Sequence, residues 1–245
     1  MNPIPVSLQL WSVRDDMRRD FAGTVAEIGR IGYSAVELAG FGNLDAAGAR
    51  AALANANLVV SGMHVGIAAL RADLAQTIAD AQLLRTRHLI VPHWPPAEFS
   101  SVAAVEKIAA ELDTFGARIR AAGLQLSFHN HAGEFQLLEG RPVFDWLLAA
   151  SQPRNLAAEV DVYWVHAAGY SPEKFLRDQG ARVKLVHLKD ETELGGGPVD
   201  FSRVFAAVES IGAAEWYVVE QEKYNHAPLE SVRLCLEQLK RWSKA

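Results

Sequence analysis

Four short apolar runs in the second half of the chain each end in side chains that can bind a metal ion. The runs are Leu124–Phe128, Leu156–Val160, Val183–Val186 and Trp216–Val219. The polar residues that follow them are His129, Asn130, His131 and Glu134, then Asp161, then His187, and finally Glu220. Three carboxylates gathered away from water repel one another and lose solvation, so they stay ionised only beside a cation. A set of Glu, Asp, His and Glu therefore predicts one divalent ion, and these ligands suit Mn, Mg or Zn.

Other polar and aromatic side chains are predicted to lie at the same strand ends and to form a substrate pocket. They are Trp11, Arg14, His64, His93, His129 and His131. An aromatic face such as that of Trp11 packs well against the C–H face of a sugar. Arg14 can bind a carboxylate or phosphate as a fork, or simply pair with a neighbouring aspartate. For each histidine, a substrate contact and an imidazole hydrogen-bonded within the pocket wall are equally consistent with the sequence.

A repeated unit of strand and helix must position these groups. Strands are predicted at Val6–Trp11, Ala35–Leu38, Leu58–His64, His88–Pro92, Leu124–Phe128, Leu156–Asp161, Val183–His187 and Trp216–Glu220. Amphipathic spacing predicts helices between them, at Phe21–Ile31, Leu70–Leu84, Val102–Ala121, Phe201–Ile211 and Leu229–Trp242. Eight such units within 245 residues predict a single α/β domain, residues 1–245, folded as a closed (β/α)₈ TIM barrel. An open doubly wound sheet is the alternative.

Composition limits the partners and the compartment. Half of the residues are apolar and the formal net charge is −5. The chain therefore has no basic field, and we expect neither nucleic acid nor a membrane as a partner. The N-terminal stretch Met1–Pro5 lacks the features of a signal peptide. A single cysteine, Cys235, which we expect to be buried, excludes an intrachain disulfide and fits a reducing cytoplasm. Composition leaves open whether the chain forms a homo-oligomer.

Six sequence pieces together resemble the xylose isomerase-like TIM-barrel superfamily, in particular its members of the sugar phosphate isomerase/epimerase type. The pieces are Leu8–Asp15, Gly32–Glu37, His129–Phe135, Asp161–Val165, Val186–Asp190 and Val219–Glu222. The resemblance implies that the fifth to eighth strands supply the ligands of one divalent ion, which are here Asp161, His187 and Glu220. Epimerases similar to tagatose 3-epimerase place a glutamate at the end of the fifth strand. Here Glu134 is assigned as that ligand, with His131 as its substitute.

The resemblance also implies a reaction. We expect a divalent-metal-dependent isomerase or epimerase that acts on a sugar, keto-sugar or polyol by proton transfer through a metal-stabilised enediolate. Glu220 is the expected base and Glu134 its partner, and Lys189 or a histidine is expected to stabilise the oxyanion. A lyase of the inosose or 3-dehydroshikimate dehydratase type needs almost the same site and is the main alternative. A metal-dependent phosphodiesterase and a non-catalytic sugar-binding barrel are less consistent with the acidic charge and the three carboxylates.

Overall fold

Eight parallel strands close into a barrel in the computed structural model, which describes residues 3–245. The barrel strands are β1 (Val6–Gln9), β2 (Ala35–Leu38), β3 (Val59–His64), β4 (His88–Val91), β5 (Gln125–His129), β8 (Leu156–Asp161), β9 (Val183–Leu188) and β10 (Trp216–Val219). Two further short strands, β6 (Leu137–Leu138) and β7 (Arg141–Pro142), form a separate antiparallel hairpin. The barrel order is β1-β10-β9-β8-β5-β4-β3-β2, and β2 pairs with β1 to complete the ring. The predicted (β/α)₈ barrel is therefore confirmed, and the open doubly wound sheet is wrong.

Helices cover the outside of this barrel. They are α1 (Arg14–Arg19), α2 (Phe21–Ile31), α3 (Ala46–Asn55), α4 (Ile67–Ala72), α5 (Leu74–Leu84), α6 (Val102–Ala121), α7 (Val143–Ala149), α8 (Val162–Ala167), α9 (Pro172–Gln179), α10 (Phe201–Ile211) and α11 (Pro228–Arg241). The helix predicted at Leu70–Leu84 is in fact two helices, because Asp73 adopts an extended backbone and its carboxylate accepts the backbone N–H of Gln76 at 2.9 Å.

Glycine residues end several helices and turn the chain toward the next strand. Gly32, Gly123 and Gly212 have φ angles of +113°, +82° and +66°. These are left-handed conformations that favour glycine, as expected between a helix and the following strand. At the other end of the helices, the side chains of Ser171 and Asp200 accept the backbone N–H of the residue three positions on, so they cap α9 and α10.

The interior of the barrel is divided into layers. Ile90, Leu185 and Val218 form a small buried apolar cluster inside the barrel. The inner side chains nearer to the carboxyl ends of the strands are polar and largely buried. Active sites of TIM barrels form at that end, so the layering places the polar groups where chemistry is expected.

The parallel pairing of the strands is irregular at two points. The β2–β3 pairing skips one residue between Val36 and Glu37, and the β8–β9 pairing does so between Ala158 and Glu159. Irregularities of this kind change the direction in which the next side chain points. The skipped residues are Ser61 on β3 and Lys184 on β9, and in both places the first pair after the skip contains a buried glutamate, Glu37 or Glu159.

Two further expectations concern the whole chain. Cys235 is buried, as expected. Within residues 3–245, no helix is both long and apolar enough to cross a bilayer. Met1 and Asn2, which belong to the predicted domain and to the stretch tested for a signal peptide, lie outside the described residues.

Candidate active site and metal centre

Four side chains from neighbouring barrel strands converge on one buried point. They are His129 at the end of β5, Asp161 at the end of β8, His187 in β9 and Glu220 directly after β10. One potential ligand atom from each lies within 4.8 Å of the others. The structure thus brings together three of the predicted metal ligands, with His129 in the fourth position. His129 was predicted only as a substrate contact.

Asp161 presents a free ligand atom in this group. Its Oδ1 accepts the backbone N–H of Trp164 at 3.0 Å, while Oδ2 is buried and has no hydrogen-bond partner. Asn130 fixes the Asp161 backbone from the neighbouring strand, with its side chain bonded to both the N–H and the carbonyl group. Burial raises the pKa of Asp161 to about 7, because a carboxylate loses solvation there. A buried carboxylate oxygen without a partner fits a bound cation.

Glu220 and Lys189 form the charged side of the site. Glu220 Oε2 lies 3.1 Å from His187 Nδ1 and 3.6 Å from Lys189 Nζ. Burial alone would raise the pKa of Glu220, but the charges of Lys189 and His187 hold it below its usual range. Burial alone would lower the pKa of Lys189, but the surrounding carboxylates hold it above its usual range. Both groups therefore stay charged at neutral pH.

His129 suits a neutral metal ligand. Its imidazole is buried, and its Nδ1 lies 3.3 Å from Glu159 Oε2 without the geometry of a hydrogen bond. Burial lowers the pKa of His129 well below its usual range, and the nearby charge of His187 lowers it further. A histidine must be neutral to bind a metal ion, and here the surroundings favour that form.

Glu134 lies outside this group of ligands. After β5 the chain forms a short 3-10 turn, Ala132–Phe135, and Glu134 Oε2 accepts the backbone N–H of His131 at 2.8 Å. Burial raises the pKa of Glu134 to about 7. Its carboxylate caps a turn and is not among the four converging residues, so the structure does not bring it together with the other predicted ligands, and its roles as ligand and catalytic partner stay predictions. The predicted substitute, His131, also lies outside the group of four.

A cavity of about 370 Å³ opens above the four converging residues. It is lined by Trp11, Ala39, His64, Pro92, His93, His129, His131, Glu220 and Glu222. Its size is within the range of small-molecule sites. All but one of the predicted substrate contacts are in this lining. The exception is Arg14, which donates to the backbone oxygen of Trp11 and to the Tyr224 hydroxyl, each at 3.2 Å, and lies against the Trp11 ring.

Glu222 is a site residue that the sequence prediction missed. One of its carboxylate oxygens accepts the indole N–H of Trp11 at 3.1 Å, and the other pairs with Lys189. Lys189 in turn lies 4.9 Å from the centre of the Trp164 ring. The signal was available, since Glu222 is two residues after Glu220 and side chains two apart along an extended chain share a face.

Glu37 and Glu159 were not assigned a role from the sequence, and they lie beneath the group of four. His187 Nε2 is 2.8 Å from Glu37 Oε1 and 3.2 Å from Glu159 Oε2. His64 Nε2 is 3.0 Å and 2.9 Å from the same two oxygens. Burial alone would raise the pKa of Glu37, but the charges of His64 and His187 pull it far below its usual range. We call Glu37, His64 and Glu159 the inner layer.

A second set of potential ligands, His64, His129, Glu159 and His187, overlaps this inner layer. In this set, His64 Nε2 already lies at hydrogen-bond distance from Glu159, and His187 Nε2 lies at hydrogen-bond distance from Glu37. Each set contains one unpartnered carboxylate oxygen, Asp161 Oδ2 in the upper set and Glu159 Oε1 in the lower set. The upper set alone offers two carboxylates, Asp161 and Glu220, and Glu220 also lines the cavity. The upper set therefore fits an ion that must also meet a substrate.

A family model described as xylose isomerase-like TIM barrel matches residues 25–242, most of the chain. The chain belongs to this xylose isomerase-like family. Among curated relatives, inosose dehydratase of Lacticaseibacillus casei is 23% identical over 156 residues, covering 54% of this chain and 50% of that protein. The chain thus spans about half the length of this relative. Inosose dehydratase of Geobacillus kaustophilus (strain HTA426) is 22% identical over 247 residues, covering 81% of this chain and 79% of that protein.

Solved structures share the fold over nearly the whole chain. A sugar phosphate isomerase/epimerase from Parabacteroides distasonis ATCC 8503 has a TM-score of 0.87 at 21% identity, covering 97% of this chain and 98% of that one. A probable 3-DHS dehydratase from Bacillus anthracis has a TM-score of 0.75 at 12% identity, covering 96% and 98%. D-psicose 3-epimerase from Clostridium cellulolyticum H10 has a TM-score of 0.74 at 10% identity, covering 98% and 99%. At these identities the likeness establishes the fold, and function must be argued from the site.

Proposed function

We propose that the protein is a divalent-metal-dependent isomerase or epimerase of a sugar, keto-sugar or polyol. The observation that carries the proposal is the convergence of His129, Asp161, His187 and Glu220 on one buried point beneath a cavity of about 370 Å³. These four side chains would hold the ion. When bound, a divalent ion supplies a Lewis acid that polarises a carbonyl group and offsets negative charge on its oxygen.

Glu220 is our proposed base. It is ionised, it lines the cavity, and it is almost fully buried, so a substrate C–H placed above it would meet a carboxylate shielded from water. Lys189 remains an ammonium group beside it and can donate hydrogen bonds to an oxygen that gains negative charge. In our proposal Glu222 replaces Glu134 as the second proton-transfer group, because Glu222 lines the cavity and Glu134 caps a turn.

A lyase that removes water from a cyclic polyol ketone is the second candidate. It is supported by the two curated relatives, both named inosose dehydratase. Removal of the proton next to the carbonyl is common to both reactions, so Glu220 would act as the base in either. The reactions diverge only afterwards, when the proton returns to carbon or when a neighbouring hydroxyl group leaves with a proton.

The test is to incubate Mn²⁺-loaded protein with a panel of free keto-hexoses, keto-pentoses and inososes in D₂O and to analyse the products by mass spectrometry and NMR. Isomerisation or epimerisation predicts a product that contains deuterium and has lost no water, whereas dehydration predicts loss of one water. Glu220→Gln should abolish either reaction. An absence of both deuterium uptake and water loss across the panel, with Mn²⁺, Mg²⁺ and Zn²⁺ each tried, would contradict the proposed function.

A further inference from the structure

We infer that Glu37 and Glu159 are positioning residues for His187, holding its imidazole with the proton on Nε2 so that Nδ1 faces the metal site. The inference rests on the metal centre of the proposed function and concerns residues that would not touch the ion. It assigns a role to two buried glutamates that the proton-transfer chemistry leaves unused.

The contacts of His187 define its orientation. Its Nε2 lies between Glu37 Oε1 at 2.8 Å and Glu159 Oε2 at 3.2 Å, and all three side chains are fully buried. Its Nδ1 points to the other side, 3.1 Å from Glu220 Oε2. Two carboxylates face Nε2, whereas one carboxylate, Glu220, faces Nδ1. When the imidazole is neutral, its single hydrogen is therefore held on Nε2, where it has two acceptors. The lone pair then lies on Nδ1, which is the nitrogen directed at Glu220 and the other proposed ligands.

The backbone is shaped to admit these two carboxylates. The pairing irregularities described above fall directly before Glu37 and directly before Glu159. On β3, Gly62 lies opposite Glu37, and a Cβ atom at Gly62 would be 2.6 Å from Glu37 Oε2 and 2.7 Å from Ile90 Cδ1. A side chain at this position would therefore displace the carboxylate. Gln9 on β1 holds the other oxygen of Glu37 with a hydrogen bond of 2.7 Å.

His64 is a second imidazole that links the two carboxylates of the inner layer. Its Nε2 lies 3.0 Å from Glu37 and 2.9 Å from Glu159, so it contacts the same two oxygens as His187. Together with Gln9, which donates to Glu37, His64 fixes the position of the carboxylate oxygens that face His187. The inner layer therefore acts as a support under the metal centre, and the geometry of His187 depends on it.

The experiment measures metal binding alone, without a substrate. Chelator-treated wild-type protein and the variants Glu37→Gln, Glu159→Gln and Gly62→Ala are titrated with Mn²⁺ by calorimetry and with Co²⁺ by visible absorption. When a carboxylate that hydrogen-bonds a metal-binding histidine is removed, metal affinity falls about tenfold to a hundredfold. We expect losses of this size in all three variants, together with a changed Co²⁺ absorption spectrum, because the coordination geometry depends on the His187 ring.

The chain offers a matched control at the opposite end of the barrel. His88 Nε2 lies 3.1 Å from Glu215 Oε2, so Glu215→Gln removes a carboxylate from another histidine and is expected to leave both titrations unchanged. The Gly62→Ala variant retains both Glu37 and Glu159. It therefore tests the inference even if a glutamine variant does not fold. Mn²⁺ affinities within twofold of wild type and an unchanged Co²⁺ spectrum in the folded variants would overturn the inference. Wild-type protein that binds no divalent ion would overturn the metal centre itself, which is a distinguishable result.

Discussion

His187 Nε2 lies 2.8 Å from Glu37 Oε1, although 150 residues separate the two in the chain. The contact joins β9 to β2 across the inside of the barrel. A proposed metal ligand is thus held by a residue from the first quarter of the chain, and it can be held only after the barrel has closed. The site is therefore a property of the complete barrel, beyond the motifs that follow its later strands.

Replacing Asp161 should change metal affinity and the stability of the metal-free protein in opposite directions. Asp161→Asn removes a proposed ligand, so we expect Mn²⁺ affinity to fall at least a hundredfold. The same change removes a buried carboxylate whose pKa is raised to about 7, while the asparagine side-chain oxygen can still cap Trp164. The metal-free variant should therefore be more stable than metal-free wild type at pH 8, by on the order of 1–2 kcal/mol. Chemical unfolding with and without Mn²⁺ measures both effects, and a less stable metal-free variant would contradict the prediction.

The buried carboxyl group of Glu134 should make the free energy of unfolding depend on pH. Its pKa is raised to about 7 in the folded protein, so the folded state binds this proton more tightly than the unfolded state does. The resulting stability is fully present below the unfolded pKa of about 4.3 and is lost as the pH rises through about 7. Glu134→Gln removes this loss and should stabilise the protein at pH 8 by on the order of 1–3 kcal/mol.

The measurement for Glu134 is the free energy of unfolding of wild type and Glu134→Gln between pH 5 and pH 8, with the Mn²⁺ affinity of each. Glutamine retains the oxygen that accepts the His131 N–H, so the turn should persist. Unchanged metal affinity is expected. A hundredfold loss of Mn²⁺ affinity would show that Glu134 is a ligand after all.

Lys189 is expected to be essential for stability as well as for turnover. Lys189→Met leaves Glu220 and Glu222 without their shared cation, and removing one partner of a buried ion pair costs about 3–5 kcal/mol. The matched control is Lys223→Met, since Lys223 contacts Glu191 at the exposed surface and such a pair contributes little. Thermal unfolding compares the two variants, and equal losses in both would contradict the assigned role of Lys189.

Metal binding should release protons. In the metal-free protein, burial opposes a charge on His187, but the surrounding glutamates hold its pKa well above the usual range, and the pKa of Asp161 is about 7. An ion at this site competes with a proton at each of these groups, so Mn²⁺ affinity should rise as the pH rises from 6 to 8. Calorimetry in buffers of different ionisation enthalpy counts the released protons. An affinity that does not change over this pH range would contradict the prediction.

Much of the fold and part of the site could be predicted from the sequence, because the signals are local. The apolar runs before Asp161, His187 and Glu220 indicate strand ends, and parallel strands in a barrel bring such ends to one face. Glu134 could not be placed this way, since the spacing after His131 does not reveal a 3-10 turn capped by that carboxylate.

The role of the two inner-layer glutamates could not be predicted for a different reason. Glu37 and Glu159 acquire their role from irregular strand pairing and from Gly62, which lie far apart in the chain. No periodic pattern in the sequence marks such a contact. His129 was assigned to the substrate because a histidine at a strand end has several uses, and only the distances place it beside Asp161 and His187.

Anomalous X-ray diffraction from crystals soaked in Mn²⁺ tests the metal centre most directly. The account predicts one strong peak per chain, bonded at about 2.0–2.6 Å to His129, Asp161, His187 Nδ1 and Glu220. A peak coordinated elsewhere, or none at these residues at saturating Mn²⁺, would contradict it.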